Sequence, residues 1–149
     1  MALVEVQDAS FSYGAEDVFQ GIGFSLDRGE VFCLFGPNGC GKTTLLDCIM
    51  GILKLARGSI FLNQNNILGL NPQAVARYIS FVPQVHVKTF PYRVIDVVVM
   101  GRACYTGFFR APSAEDMEIA EEALGMVGLT YLKEKPYTKL SGGETQLVL

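Results

Sequence analysis

Apolar residues along this chain recur with two different periods, and the order in which those periods alternate sets the expected order of elements. Short β-prone runs at Leu3–Val6 and Ile22–Leu26 flank the aromatic patch Phe11-Ser12-Tyr13 and the turn former Gly14, which predicts a small β layer. The tight turn Asp27-Arg28-Gly29-Glu30 leads into Val31-Phe32-Cys33-Leu34-Phe35. That unbroken apolar run predicts a central parallel strand covered on both faces. Leu45, Leu46, Ile49, Met50 and Leu53 then recur at helical spacing, and the pattern closes near Gly51 and Arg57-Gly58.

Ser59–Leu62 reads as another strand and Asn63–Asn66 as a polar turn. Asn71-Pro72 reads as an N-cap with proline at the first helical position. Ile79–Val82 predicts a second buried strand, ending at Pro83-Gln84. Beyond Phe90 the pattern is helical, first over Val94–Met100 and then from Ser113, where Ser113-Ala114-Glu115-Asp116 resembles a capping box. Met117, Ala120, Leu124 and Val127 share one face of that helix, while Glu118, Glu121 and Glu122 form a solvated one. The pattern predicts an α/β fold with a mainly parallel core sheet around Val31–Phe35 and Ile79–Val82, an N-terminal antiparallel β layer and a helical subdomain. Residues 1–84 are expected to hold the β layer and the core, and residues 85–149 the helical subdomain.

Half of the 149 residues are apolar, which is material for a real core within one domain's length. A formal net charge of −3 lacks the basic excess of a nucleic-acid binder, so nucleic acid is not expected as a partner. Met1–Glu5 carries neither the cationic flank nor the apolar run of a secretory signal. The run Val97–Met100 is far below the ~18 apolar residues of a membrane span, so membrane association would go through a partner. The four cysteines, Cys33, Cys40, Cys48 and Cys104, show no C-x-x-C spacing, and there is only one histidine to complete a metal site. Simple packing in a reducing compartment is expected of them.

Chemistry concentrates in Gly36-Pro37-Asn38-Gly39-Cys40-Gly41-Lys42-Thr43-Thr44, which fits G-x-x-x-x-G-K-[ST] between a predicted strand and a predicted helix. Glycines at 36, 39 and 41 let successive N–H groups turn inward at the positive end of the helix, a concave nest for phosphate. Lys42 is expected to reach the β- and γ-phosphates of ATP, and the Thr43 hydroxyl to ligate the Mg²⁺ between them. Thr44 adds a hydroxyl near the α-phosphate.

Kinases, GTPases, helicases and transport ATPases share such a loop, so further motifs must discriminate. Leu140-Ser141-Gly142-Gly143-Glu144-Thr145-Gln146 resembles the signature motif of the ABC ATPase superfamily. Ser141 can cap a helix, Glu144 can close the capping box, and Gly142 and Gly143 leave the backbone accessible. The resemblance implies a P-loop NTPase fold, a second phosphate contact at Ser141, Gly142 and Gly143, and two copies sandwiching two nucleotides. Phe81-Val82-Pro83-Gln84 resembles the family's Q-loop, which implies that Gln84 meets Mg²⁺ or water. Tyr13 occupies the place of the aromatic that stacks on adenine. Lys42 and Gln84 are the residues in which the resemblance invests catalysis, and Thr43 and Gln84 those it gives to the metal. His86 reads as a loop or interface residue.

No run of four apolar residues followed by Asp-Glu occurs in the chain, so the family's Walker B aspartate, catalytic glutamate and switch histidine are expected to be missing from it. The chain alone is expected to bind ATP far better than it hydrolyses it, and to be truncated after the signature motif. Phe90–Arg102 and Ala111–Leu124 resemble importers of iron-siderophore, haem or cobalamin complexes. The resemblance then implies transmembrane permease subunits as partners, docked over Val85–Arg102, with a substrate-binding protein acting indirectly. It places the subunit peripherally on the cytoplasmic face of the membrane. Two rival functions are a non-transport ABC ATPase acting on DNA or ribosomes, and a nucleotide-binding fragment without turnover. The acidic balance and the absence of a long coiled-coil insertion disfavour the first.

Overall fold

The computed structural model describes residues 2–84, 87, 89–106 and 110–149. It divides into two compact units, Met1–Ile79 and Ser80–Leu149. The division puts Ser80–Gln84 with the second unit, where the sequence pattern assigned them to the first.

In the first unit, β1 (Ala2–Tyr13) and β2 (Glu16–Asp27) form a hairpin around Gly14, whose φ of 62° suits glycine at the turn. With β3 (Arg57–Leu62) and β4 (Asn65–Asn66) they make a sheet ordered β2-β1-β3-β4. Every ladder in it is antiparallel. Asn63 and Gln64 both have positive φ, 45° and 69°, as a tight two-residue hairpin between β3 and β4 requires.

Strand β1 buries Val6, Ala9 and Phe11, a sequence that breaks the period of two. A bulge explains it. The register shifts between Val6 and Ala9, and Asp8 stands at φ 46°, so one extra residue returns the following side chains to the core face. Opposite the bulge, Gly58 has φ 88°, and a methyl there would overlap the carbonyl oxygens of Gln7 and Asp8. Helix α1 (Lys42–Ile49) lays Leu45 and Cys48 inward, and Cys48 joins Val6, Phe11, Ile60, Leu62, Ile67 and Val75 in one apolar cluster. Burial, then the Asp47 charge, pushes the Cys48 thiol up to about 11. Cys33 and Cys40 are exposed, so the packing role expected of every cysteine holds for Cys48 but not for these two. Helix α2 (Pro72–Ala76) starts as its sequence predicts, with Asn71 Oδ1 accepting from the Ala74 amide at 2.8 Å.

Among the described residues the expected parallel core strands are unpaired. Residues 31–35 carry no ladder, and Val31 and Phe35 are 99% and 98% exposed. Residues 79–82 are likewise unpaired, with Phe81 and Val82 exposed. A strand exists only through neighbours that take its N–H and C=O groups, and no described strand lies beside either run. The contact that Phe32 does make is a stack on Phe24 at 4.5 Å.

In the second unit, α3 (Val94–Met100) and α4 (Ala114–Met126) pack through Val94, Ile95, Val99, Ala120 and Leu124. Ser113 caps α4 reciprocally: its Oγ accepts from the Asp116 amide, and the Asp116 carboxylate accepts from the Ser113 amide and hydroxyl at 3.0 and 2.7 Å. Gly128, at φ 71°, ends the helix, with the Leu129 amide donating back to Leu124 O at 2.8 Å. Val127 was expected on the buried face, but the chain leaves the helix there and Val127 is exposed. The last helix, α5 (Gly142–Val148), buries Thr145 and Val148.

Asp116 also accepts from Arg102 Nε at 3.0 Å and is nearly buried. The Ser113 hydrogen bonds and then Arg102 hold its carboxyl below the usual carboxylate range. A depressed folded pKa contributes stability above the unfolded value of about 4, and that stability disappears as pH falls through the folded pKa. Wild-type protein should therefore melt at a higher temperature than Asp116→Asn at pH 6, with the gap closing below about pH 4. Thermal denaturation followed by circular dichroism across that range checks it, and a gap independent of pH would refute it.

Candidate phosphate-binding site

Between the unpaired run 31–35 and α1 the chain turns twice. Gly39 has φ 84°, and the Cys40 amide donates to Pro37 O at 3.4 Å. Gly41 has φ 88° and is the N-cap of α1, whose first helical bond runs from the Leu45 amide to Gly41 O at 2.8 Å. A glycine N-cap offers no side-chain acceptor, and the first turn of α1 carries no acidic residue. The orphan amides and the positive end of the helix dipole therefore face outward with no carboxylate of their own. That is the arrangement an external anion uses.

Two glycines are fixed by space, and Gly41 by its φ as well. A Cβ on Gly41 would lie 2.8 Å from Val18 Cγ1 and 3.2 Å from Phe19 Cδ1, so the loop closes directly on β2. A Cβ on Gly36 would lie 2.7 Å from Cys40 Sγ. Sequence reading gave the glycines their phosphate-facing role and missed these two closures, because neither Val18 nor Cys40 carries a signal for them.

The Lys42 ammonium lies across the loop. Its Nζ donates to Gly36 O at 2.8 Å and to Pro37 O at 2.6 Å, and lies 3.7 Å from Cys40 Sγ. Three donors are available to an ammonium group, so this cation is held at the loop by its own carbonyls. Asn38 and Thr43 are exposed and Thr44 is half-buried. Tyr13, at the end of the β1–β2 hairpin, is 58% exposed and meets Phe11 edge-on at 4.9 Å, while Phe11 stacks on Phe19. The first unit thus brings Tyr13, Phe11, Phe19, Gly41 and Lys42 into one continuous region.

Gln84, Ser141, Gly142 and Gly143 belong to the second unit. Gln84 is exposed after Pro83. Val85 and His86 lie outside the described residues. At the start of α5 the capping box is complete: the Glu144 amide donates to Ser141 Oγ at 3.3 Å, and the Ser141 amide to Glu144 Oε2 at 2.6 Å. Thr145 Oγ1 donates to Ser141 O at 2.7 Å. Gly142 and Gly143 are exposed, and a Cβ on either would meet nothing within 4 Å, so approach to their backbone is open.

A family model described as ABC transporter matches residues 19–149. The molybdate import ATP-binding protein MolC of Haemophilus influenzae is 37% identical over 98% of this chain and 53% of its own length. A Helicobacter pylori protein described as a probable iron chelatin transport ATP-binding protein is 36% identical over 99% of this chain and 58% of its own. A solved metal-chelate type ABC transporter in an inward-facing conformation is similar over 100% of this chain and 55% of its own, with a TM-score of 0.83 at 36% identity. The chain thus spans about half the length of these relatives.

Gly41→Ala would impose both a strained φ and a clash with Val18, and so should rotate the α1 amides away from the loop. Affinity for a phosphate-bearing ligand should fall by at least about tenfold, the equivalent of about 1.4 kcal/mol. Gly39→Ala, strained in φ but in open space, should lose less. Equilibrium titration with a fluorescent ATP analogue checks the order of the two, and equal losses would refute the role given to the β2 contact.

Proposed function

This chain belongs to the ABC transporter family and shares its P-loop NTPase fold. From that premise we propose that it is the nucleotide-binding part of an importer's ATP-binding subunit, in which ATP binding and hydrolysis drive uptake of a metal complex such as an iron-siderophore, haem or cobalamin. The observation that carries the reading is the uncapped, acid-free start of α1, beside which Lys42 is already held.

The residues present fit a nucleotide triphosphate. Gly36, Asn38, Gly39 and Gly41 supply backbone amides, Lys42 a point charge for the β- and γ-phosphates, Thr43 and Thr44 hydroxyls, and Tyr13 an exposed ring for adenine. No group of three or more His, Cys, Asp or Glu side chains among the described residues is placed to hold a metal ion. In the first unit Thr43 is the residue that would hold a Mg²⁺, which would neutralise charge on the phosphates. The Ser141 hydroxyl and the Gly142 and Gly143 amides would present donors to the nucleotide held by a second copy.

No helix among the described residues is long and apolar enough to cross a membrane. Permease subunits are the proposed membrane partners, which would set this subunit peripherally on the cytoplasmic face. Phe90 and Tyr92 support the proposed permease contact: both are exposed, and their rings lie 5.7 Å apart. Names of the relatives extend from molybdate to iron chelates, and the metal-complex branch is favoured here by the Phe90–Arg102 and Ala111–Leu124 likeness.

Lys42→Ala should weaken Mg-ATP analogue binding by about ten- to a hundredfold, in keeping with about 1.5–3 kcal/mol for a charged hydrogen bond. Binding that survives Lys42→Ala would sink the nucleotide reading. Phe90→Ala with Tyr92→Ala should lower permease co-purification and transport in cells, and full retention of both would remove this surface from the permease contact.

A further inference from the structure

The segment leading into the Ser141 loop is fastened to the start of α3 by two kinds of bond. The Val94 and Ile95 amides donate to Lys135 O and Lys133 O, each at 3.0 Å, and the Tyr137 amide donates to Tyr92 O at 2.7 Å. Arg93 adds a side-chain clamp. It stands at the N-cap of α3 without capping it, and spreads its guanidinium over two carboxylates instead. Nε and Nη2 donate to the two oxygens of Asp96 at 2.9 and 2.7 Å, and Nη1 donates to Glu134 Oε2 at 3.0 Å.

These two contacts differ in kind. Asp96 is three residues away and belongs to the same helix, whereas Glu134 is 41 residues away on the strap that precedes the loop. A planar fork can serve both at once, and an ammonium point charge cannot reproduce that geometry. The hydrogen bond from Arg93 is the chief cause that holds the Asp96 carboxyl below its usual range. Past Glu134, Tyr137 and Leu140 are buried, so the strap enters Ser141 from anchored positions. Lys135 Nζ stands 3.9 Å from Glu144 Oε1, on the carboxylate that closes the capping box.

We propose that Arg93 is a positioning residue for the Ser141 loop: through Glu134 it holds the strap 133–137 on α3, and the strap sets the direction in which the Gly142 and Gly143 amides are displayed. The proposal rests on the reading of that loop as a phosphate contact for a second copy. It also gives the start of α3, beside the proposed permease surface, a direct mechanical connection to that loop.

Amide hydrogen exchange on the whole chain tests it. In Arg93→Gln, amides at Tyr137 and Ser141–Thr145 should exchange about two- to fivefold faster, the range expected for loss of an exposed ion pair that limits local opening. Ala120 and Leu124 in α4 should keep their wild-type rates, as should nucleotide binding at the Lys42 loop. Arg93→Lys should keep the start of α3 protected yet leave the strap and loop as fast as in Arg93→Gln. Glu134→Gln should do the same. A uniform rise that includes α4 would reduce Arg93 to a stabilising residue, and unchanged rates at Ser141–Thr145 would remove it from the loop altogether. Sedimentation with Mg-ATP separates the premise from the proposal. Wild-type pairing that Arg93→Gln weakens supports both. If the wild type does not pair, the phosphate reading of the loop falls, and the exchange pattern alone decides whether Arg93 positions it.

Discussion

Gly41 lies against Val18 and Phe19 so closely that no side chain fits between them, and much of the first unit's site geometry follows from that contact. Strand β2 is held by β1, and β1 keeps a single core face on both sides of Asp8 only because the bulge restores its phase, with Gly58 making room. The loop is thus seated on a sheet whose own regularity has been broken at one place and repaired there. Once Gly41 is fixed at φ 88°, the first amides of α1 are aimed, and Lys42 is brought within reach of Gly36 O and Pro37 O. Rigid strands thereby set the direction of a loop that has little packing of its own.

What could be read from the sequence was local. The span Val94–Met100 and the caps at Asn71, Ser113 and Ser141 follow from residues within a few positions of one another, where capping and turn chemistry act; the turn read over Asn63–Asn66 holds for Asn63 and Gln64, while Asn65–Asn66 pair as β4. Val31–Phe35 shows the limit. Its composition is that of a buried strand, yet strand formation is a property of pairs, and no described strand offers it a ladder. The Asp8 bulge, the Val18 contact with Gly41 and the clamp from Arg93 to Glu134 were invisible for the same reason: each joins residues whose relation is set by tertiary structure. Of the proposed site, the glycine and lysine positions are readable from spacing alone. The surfaces that close on them are not.

The two helix starts to which phosphate contacts are assigned differ electrostatically. At α1 the cap is glycine, no acid occupies the first turn and a lysine lies beside the amides, so positive potential accumulates. At α5 the cap is serine, and Glu144 places a carboxylate on the Ser141 amide at 2.6 Å. That carboxylate satisfies one orphan donor and cancels part of the dipole field for which an anion would compete. An α1-type start, with its lysine, offers a multiply charged phosphate positive charge and no competing carboxylate. An α5-type start is better suited to hydrogen-bonding an anion already neutralised elsewhere, by a lysine and a divalent cation on another chain. Lys135, 3.9 Å from Glu144, moderates that negative charge, and the strap carrying it is the one fixed by Arg93. Under the proposed reading, in which two copies share each nucleotide, the asymmetry favours a division of labour: one loop would capture the nucleotide, and the other would read it once the charge has been met.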